Sequence, residues 1–158
     1  MKIVERTLAK IEACIENKSY QSIETEKIEL KDLSSGKDWR ELYKTTCAFL
    51  NSQGGIIIIG IHENNTKTEY KFKGFNLNNE DKLKELPKQF SSDDLQQINL
   101  SEYIRPDLFE IHDFMGGQVC IVFIEKLPDD KKYVMYKGEA YERKLTGDPR
   151  VKRLDVQK

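Results

Sequence analysis

The chain has 158 residues, of which 38% are hydrophobic and 34% are charged, and its formal net charge is −1. This length and composition predict one domain, spanning residues 1–158, that buries a core without disulfides or a structural metal. No apolar run approaches the roughly 20 residues of a membrane span, and the N-terminus is too charged for a signal peptide, so we expect a cytoplasmic protein.

The first half of the chain predicts two helices and one strand before its most apolar segment. Apolar residues at helical spacing predict a first helix over residues 2–18, and alternation around Ile28 and Leu30 predicts a strand over residues 27–32. Asp38 is a plausible N-cap for a second helix that ends near Asn51. The three cysteines lie far apart in apolar segments and are interpreted as small core residues: Cys14, Cys47 and Cys120.

Residues 56–61 form a β-branched run without polar alternation, which is typical of a strand covered on both faces. We expect this strand to be central. The Gly54-Gly55 pair before it indicates a tight turn, and no Walker-type Lys-Ser/Thr follows that would favour a phosphate site. His62 and Glu63 are the first polar residues after the run, and residues 68–75 predict the second strand of a hairpin.

The second half predicts mainly hairpins. A helical turn is expected at residues 82–86, and a helix from a cap at residues 91–94 to about Tyr103. Strands are expected at 108–114 and 119–124 around Gly116-Gly117, followed by a hairpin of residues 133–136 and 140–145. The pattern predicts an α+β fold, a mostly antiparallel or mixed sheet with helices packed against it, and hairpins argue against a doubly wound parallel fold.

The C-terminal segment is basic. From about residue 146 it is polar as well, and we expect a tail that becomes ordered on binding a partner. A phosphate-contacting patch is predicted at Arg143, Lys144, Arg150, Lys152 and Arg153.

Three carboxylates stand out by position: Glu24 precedes the first strand, Glu29 lies on it and Glu63 follows the central strand. If the two strands are neighbours, these side chains converge and need a hard divalent cation between them, Mg²⁺ or Mn²⁺. Lys31 would point the same way as Glu29 and offset charge on a phosphate. On spacing alone, the solvated outer face of an edge strand is the better interpretation, because Glu and Lys are abundant in this chain.

Three motifs in order resemble the Schlafen AlbA-type domain. They are the stretch from Glu24 to Lys31, the stretch from Ala48 to Gly55, and the strand that ends at Glu63; shorter matches are Gly74, residues 104–106 and residues 141–143. The resemblance implies that Glu24, Glu29 and Glu63 are the acidic triad of the Schlafen endoribonucleases and that Lys31 is the lysine that follows. Glu63 replaces an aspartate of the family pattern, and His62 replaces another acidic residue.

The resemblance implies a metal-dependent endoribonuclease that acts on structured RNA such as tRNA. Nucleolytic relatives join two such lobes around tRNA, so we expect this single lobe to form a homodimer. The alternatives are a non-catalytic DNA- or RNA-binding module, whose affinity would be independent of the carboxylates, and, with less support, an ATP-binding domain.

Overall fold

The computed structural model describes residues 3–25, 27–34, 36–64, 66, 68–143 and 151–154. Its helices are α1 (Ile3–Asn17), α2 (Gly36–Asn51) and α3 (Glu80–Lys84). The strands are β1 (Ile28–Lys31), β2 (Gly55–Ile59), β3 (Ile61–Asn64), β4 (Glu69–Phe72), β5 (Phe90–Ser91), β6 (Gln97–Ile98), β7 (Glu110–Phe114), β8 (Gly117–Ile124), β9 (Ala140–Arg143) and β10 (Val151–Leu154).

A four-stranded sheet in the order β1-β2-β8-β7 forms the centre of the molecule. β1 runs parallel to β2, whereas β2 pairs with β8 and β8 with β7 in antiparallel register. Three two-stranded sheets, β3-β4, β5-β6 and β9-β10, surround it. The prediction of an α+β fold with a mixed sheet is confirmed.

Each face of the central sheet packs into a separate apolar cluster. Ile57 and Ile59 lie in the cluster that contains the apolar side chains of α2. Ile58 lies in the other cluster, with Leu8 and Ile11 of α1. Side chains of a strand alternate between faces, so a strand covered on both sides needs apolar residues at every position. The prediction that the isoleucine run is buried on both faces is confirmed.

Gly60 divides the run that the sequence predicted as one strand. Its φ of +123° ends β2, and its N–H donates to the Lys31 carbonyl oxygen at 2.8 Å. Its own carbonyl oxygen accepts hydrogen bonds from the N–H groups of Lys73 and Gly74, both at 2.8 Å. The chain therefore leaves the central sheet at Gly60, and β3 pairs with β4 in a hairpin of its own.

One prediction for the rest of the chain is wrong. The residues predicted as a helix from Ser91 to Tyr103 form the short strands β5 and β6, because Ser92 makes a turn in which its N–H donates to the Gln96 carbonyl oxygen at 2.8 Å. Part of the predicted C-terminal tail forms β10, which pairs with β9. None of the helices in the described part of the chain is long and apolar enough to cross a membrane.

Candidate active site

One cleft of about 430 Å³ brings together the four residues that the sequence singled out for catalysis. Glu29 and Lys31 project from β1, and Glu63 from β3 on the separate hairpin. Glu24 comes from the segment before β1, which doubles back through a pairing of Thr25 with Ile28. The predicted convergence of these side chains is therefore seen in the structure.

Glu24 lies between the edge of β1 and the other two carboxylates. Its Oε2 accepts a hydrogen bond from the Leu30 N–H at 3.0 Å. Burial, reinforced by the nearby Glu29 and Glu63, raises the pKa of Glu24 to about 9. At neutral pH the metal-free protein therefore holds Glu24 protonated, hydrogen-bonded to Glu29.

Glu29 is held by a buried arginine at the end of β9. Nη1 of Arg143 donates to Glu29 Oε1 at 2.5 Å, and Nη2 donates to the Thr25 carbonyl oxygen at 2.6 Å. The guanidinium lies 4.5 Å from the ring centroid of Phe49, and the Arg143 side chain is 0% exposed. The sequence predicted Arg143 in a phosphate-contacting patch, whereas the structure places its side chain inside the protein, paired with Glu29.

Glu63 is held by Tyr20, whose hydroxyl donates to Glu63 Oε2. The Tyr20 ring stacks on Tyr70 with 5.2 Å between centroids. The Tyr70 hydroxyl donates to the Gln21 carbonyl oxygen at 2.6 Å and accepts from the Ile23 N–H at 3.0 Å. Tyr70 thus holds the segment that carries Tyr20 and Glu24 against the β3–β4 hairpin. Sequence reasoning missed both tyrosines.

The remaining polar neighbours are Lys31 and His62. Lys31 Nζ lies 3.5 Å from Glu29 Oε2, and the lysine side chain is 16% exposed. His62 Nδ1 lies 3.7 Å from Asp32 Oδ2 at the more exposed rim of the cleft. Lys31 is placed to meet a group that enters the cleft beside Glu29.

The cleft lining is strongly acidic. Lys31 is the single lysine or arginine among the described lining residues, against six carboxyl groups: Glu24, Glu29, Asp32, Asp38, Glu41 and Glu63. As placed, no three His, Cys, Asp or Glu side chains among the residues described are arranged to hold a metal ion. The chemistry of the donors nevertheless fits Mg²⁺ or Mn²⁺, because hard cations take carboxylate oxygens. One oxygen of each of Glu24, Glu29 and Glu63 is anchored by a protein donor, as metal ligands commonly are.

The profile of the family described as Schlafen, AlbA_2 matches residues 24–152. The chain belongs to the Schlafen AlbA_2 family. Membership in this family indicates a nucleic-acid-binding domain. No curated protein matches the chain.

Two solved structures show the same fold as this AlbA_2 domain. One is the N-terminal domain of a protein described as related to the ATP-dependent DNA helicase RecG, from Nitrosomonas europaea: it is 20% identical with a TM-score of 0.52, over 100% of this chain and 92% of that one. The other is the DIP2311 protein of Corynebacterium diphtheriae, 12% identical with a TM-score of 0.59, over 97% of this chain and 30% of that one.

The second motif of the AlbA_2 resemblance, at the α2–β2 junction, is structural. The buried Asn51 amide donates to the carbonyl oxygens of Val134 and Tyr141 and accepts from the Val134 N–H, each at 3.0 Å. A Cβ on Gly55 would lie 2.3 Å from the Phe49 ring, and one on Gly54 (φ +71°) would lie 2.5 Å from the Ile124 carbonyl oxygen. The glycine pair is packed against protein, in agreement with the predicted turn.

The remaining residues of the predicted basic patch are not tested by the structure. Lys144 and Arg150 lie outside the described residues. Lys152 and Arg153 lie on β10, opposite Glu142 and Tyr141 of β9, and only their backbone is described. Their contact with nucleic acid stays a prediction.

Proposed function

We propose that this AlbA_2 domain is a divalent-metal-dependent endoribonuclease that cleaves structured RNA such as tRNA. The observation that carries the proposal is the convergence of Glu24, Glu29, Glu63 and Lys31 in one cleft, with Glu24 and Glu29 in direct contact. This is the donor set that metal-assisted phosphodiester cleavage requires.

The charge of the cleft argues that a cation enters before or together with the nucleic acid. A phosphodiester is an anion, and six carboxyl groups surround the place where it would lie. Glu24, Glu29 and Glu63 would hold Mg²⁺ or Mn²⁺, and ligation requires Glu24 to lose its proton. The bound cation would polarise a phosphoryl oxygen and make a water more acidic.

The chain's own residues have distinct roles in this proposal. Lys31 stabilises the negative charge that grows on the phosphate as the bond to the leaving oxygen breaks. Arg143 keeps Glu29 oriented from inside the protein and does not touch the substrate. Lys144, Arg150, Lys152 and Arg153 hold the RNA backbone.

A non-catalytic nucleic-acid-binding module is the second candidate. It is favoured by the lack of a ready-made three-ligand metal site among the described residues. In that case the ion pair of Glu29 with Arg143 is a structural element, and binding depends on salt and not on the carboxylates. The ATP-binding alternative gains no support, because the Gly54-Gly55 backbone is covered by protein.

The test is incubation of the purified protein with total tRNA in Mn²⁺ or Mg²⁺, read on a denaturing gel. We expect discrete cleavage that EDTA, Glu29→Gln, Glu63→Gln and Lys31→Met each abolish. Glu16→Gln, at an exposed position of α1, is the matched control and should cleave normally. Intact RNA with a retained gel shift would refute the nuclease and establish the binding module.

We also infer that two copies of the domain form a homodimer, which would supply the second lobe of an RNA-binding groove. Light scattering of the purified protein measures this directly. A monomer at all concentrations used in the cleavage assay would contradict it.

A further inference from the structure

Three cavities lie side by side on the surface that contains the candidate active site. A second cavity of about 430 Å³ shares Asp32 and Ser34 with the cleft. A third, of about 960 Å³, shares residues 73–76 with the second and reaches the turn between β7 and β8. We call the second and third cavities together the 73–76 groove, and it leads away from the carboxylates.

Backbone hydrogen bonds fix the floor of the 73–76 groove. The N–H groups of Lys73 and Gly74 donate to Gly60, and the Phe75 N–H donates to the Gln118 carbonyl oxygen at 2.8 Å. At the far end, a Cβ added to Gly116 would meet no described atom within 4 Å, so this end of the groove is open. The groove is therefore formed before any ligand arrives.

The lining of the 73–76 groove differs from the cleft in chemistry. The cleft is acidic, whereas the groove, as far as its lining is described, combines one exposed cation, Lys73, with the side-chain amides of Asn76 and Gln118. Apolar surface is offered by Leu77, which is 54% exposed, and by the half-buried ring of Phe72. The described lining also contains two carboxylates, Asp32 and Asp113, which outnumber this lysine.

Amides and apolar side chains recognise the edges and faces of bases, and these are accessible in an unpaired strand but hidden in a duplex. We propose that the 73–76 groove binds a single-stranded segment of the RNA that is cleaved in the adjacent cleft. Lys73 contacts a phosphate of that segment and Leu77 packs against a base. This inference rests on the proposed function, because it names the form of RNA that the nuclease accepts.

The test measures binding of a fluorescein-labelled single-stranded RNA of ten nucleotides to the full chain in Ca²⁺ at several salt concentrations. The oligonucleotide is checked afterwards on a denaturing gel. Lys73→Gln should weaken binding about three- to tenfold and make the slope of log K against log salt shallower by ~0.7, the value for one phosphate contact to a single strand. Leu77→Ala should weaken binding without changing the slope.

Lys71→Gln is the matched control. Lys71 lies two residues before Lys73, is equally exposed on β4, and lines neither cavity of the groove. It should leave affinity and slope unchanged. Equal losses from Lys71→Gln and Lys73→Gln would overturn the proposal in favour of diffuse attraction to charge.

The proposal that the groove binds single-stranded RNA would also be refuted if the wild-type protein did not bind the oligonucleotide. It would be refuted equally by the same affinity for a duplex of that sequence. These outcomes are separate from failure of the nuclease proposal. The nuclease proposal is tested by loss of cleavage in the cleft variants. The groove proposal is tested by RNA binding of variants at Lys73, Leu77 and Lys71, which lie outside the cleft.

Discussion

The α2–β2 junction and the acidic cleft both carry AlbA_2 motif residues, but they differ in how their polar groups are satisfied. At the junction, the Asn51 amide makes three hydrogen bonds of 3.0 Å, and the two glycines are enclosed by protein atoms. In the cleft, three carboxyl groups share one volume, and one of them keeps its proton to about pH 9. Buried motif residues whose hydrogen bonds are complete maintain the fold. Crowded carboxyl groups with a strongly raised pKa in an open cleft are instead candidates for binding a ligand.

The largest effect is expected where the two regions meet, at Arg143. Arg143→Ala should destabilise the domain by about 3–5 kcal/mol, because it removes a buried cation and leaves the nearly buried Glu29 with only the more distant Lys31 as a counter-charge. Urea denaturation measures this loss. The double variant with Glu29→Gln should recover part of it. An unchanged stability would mean that Arg143 is a surface residue after all.

At the junction, Asn51→Ala should cost about 2–3 kcal/mol, since it strands the buried N–H of Val134 and two carbonyl oxygens. Cleavage or RNA binding per folded molecule should not change, as measured at a temperature where the variant is folded. A specific loss of RNA binding with normal stability would place the junction in the functional site. The junction and the acidic cleft would then no longer differ in role.

In the cleft, Glu24 should make stability fall as pH rises. Its folded pKa of about 9 lies above its unfolded value of 4.5, so the folded state binds the extra proton between pH 4.5 and 9. The slope is at most about 1.4 kcal/mol per pH unit and ends above the folded pKa. Glu24→Gln should remove this component and stabilise the metal-free protein at pH 8. Thermal unfolding of the wild type and of Glu24→Gln from pH 5 to 9 in EDTA measures this component. Parallel profiles of stability against pH for the two proteins would contradict the prediction.

The smallest effect is expected at Tyr20. Tyr20→Phe keeps the ring that stacks on Tyr70 but removes the hydroxyl that holds Glu63. We expect little change in metal-free stability and about a tenfold higher Mn²⁺ concentration for half-maximal thermal stabilisation, the effect of losing an outer-shell partner. Tyr133→Phe, which removes a tyrosine hydroxyl outside the cleft, is the control. Identical Mn²⁺ midpoints for wild type and Tyr20→Phe would show that Tyr20 does not position a ligand.

Sequence reasoning was accurate where the information is local. The helix of residues 3–17, the buried isoleucine run and the convergence of the carboxylates follow from periodicity and motif order. The predicted helix that begins near Ser92 is wrong, because a serine side chain can stabilise a turn as well as the start of a helix. A basic residue near a basic tail resembles a surface contact. Only the packing of β9 against α2, from which the Arg143 side chain reaches Glu29 on β1, shows that this residue is buried. Tyr20 and Tyr70 gave no local signal, because their partners lie 43–50 residues away.

Glu24 also covers the edge of the central sheet that β1 forms. The Leu30 N–H to which it is bonded points away from β2, and the pairing of Thr25 with Ile28 covers the next position along that edge. An unprotected edge strand recruits strands from other molecules. The Glu24 carboxyl group, a proposed cation ligand, therefore also protects the β1 edge against pairing with strands of other molecules. To keep this protection, Glu24 must bind the cation through Oε1, because Oε2 accepts the hydrogen bond from the Leu30 N–H.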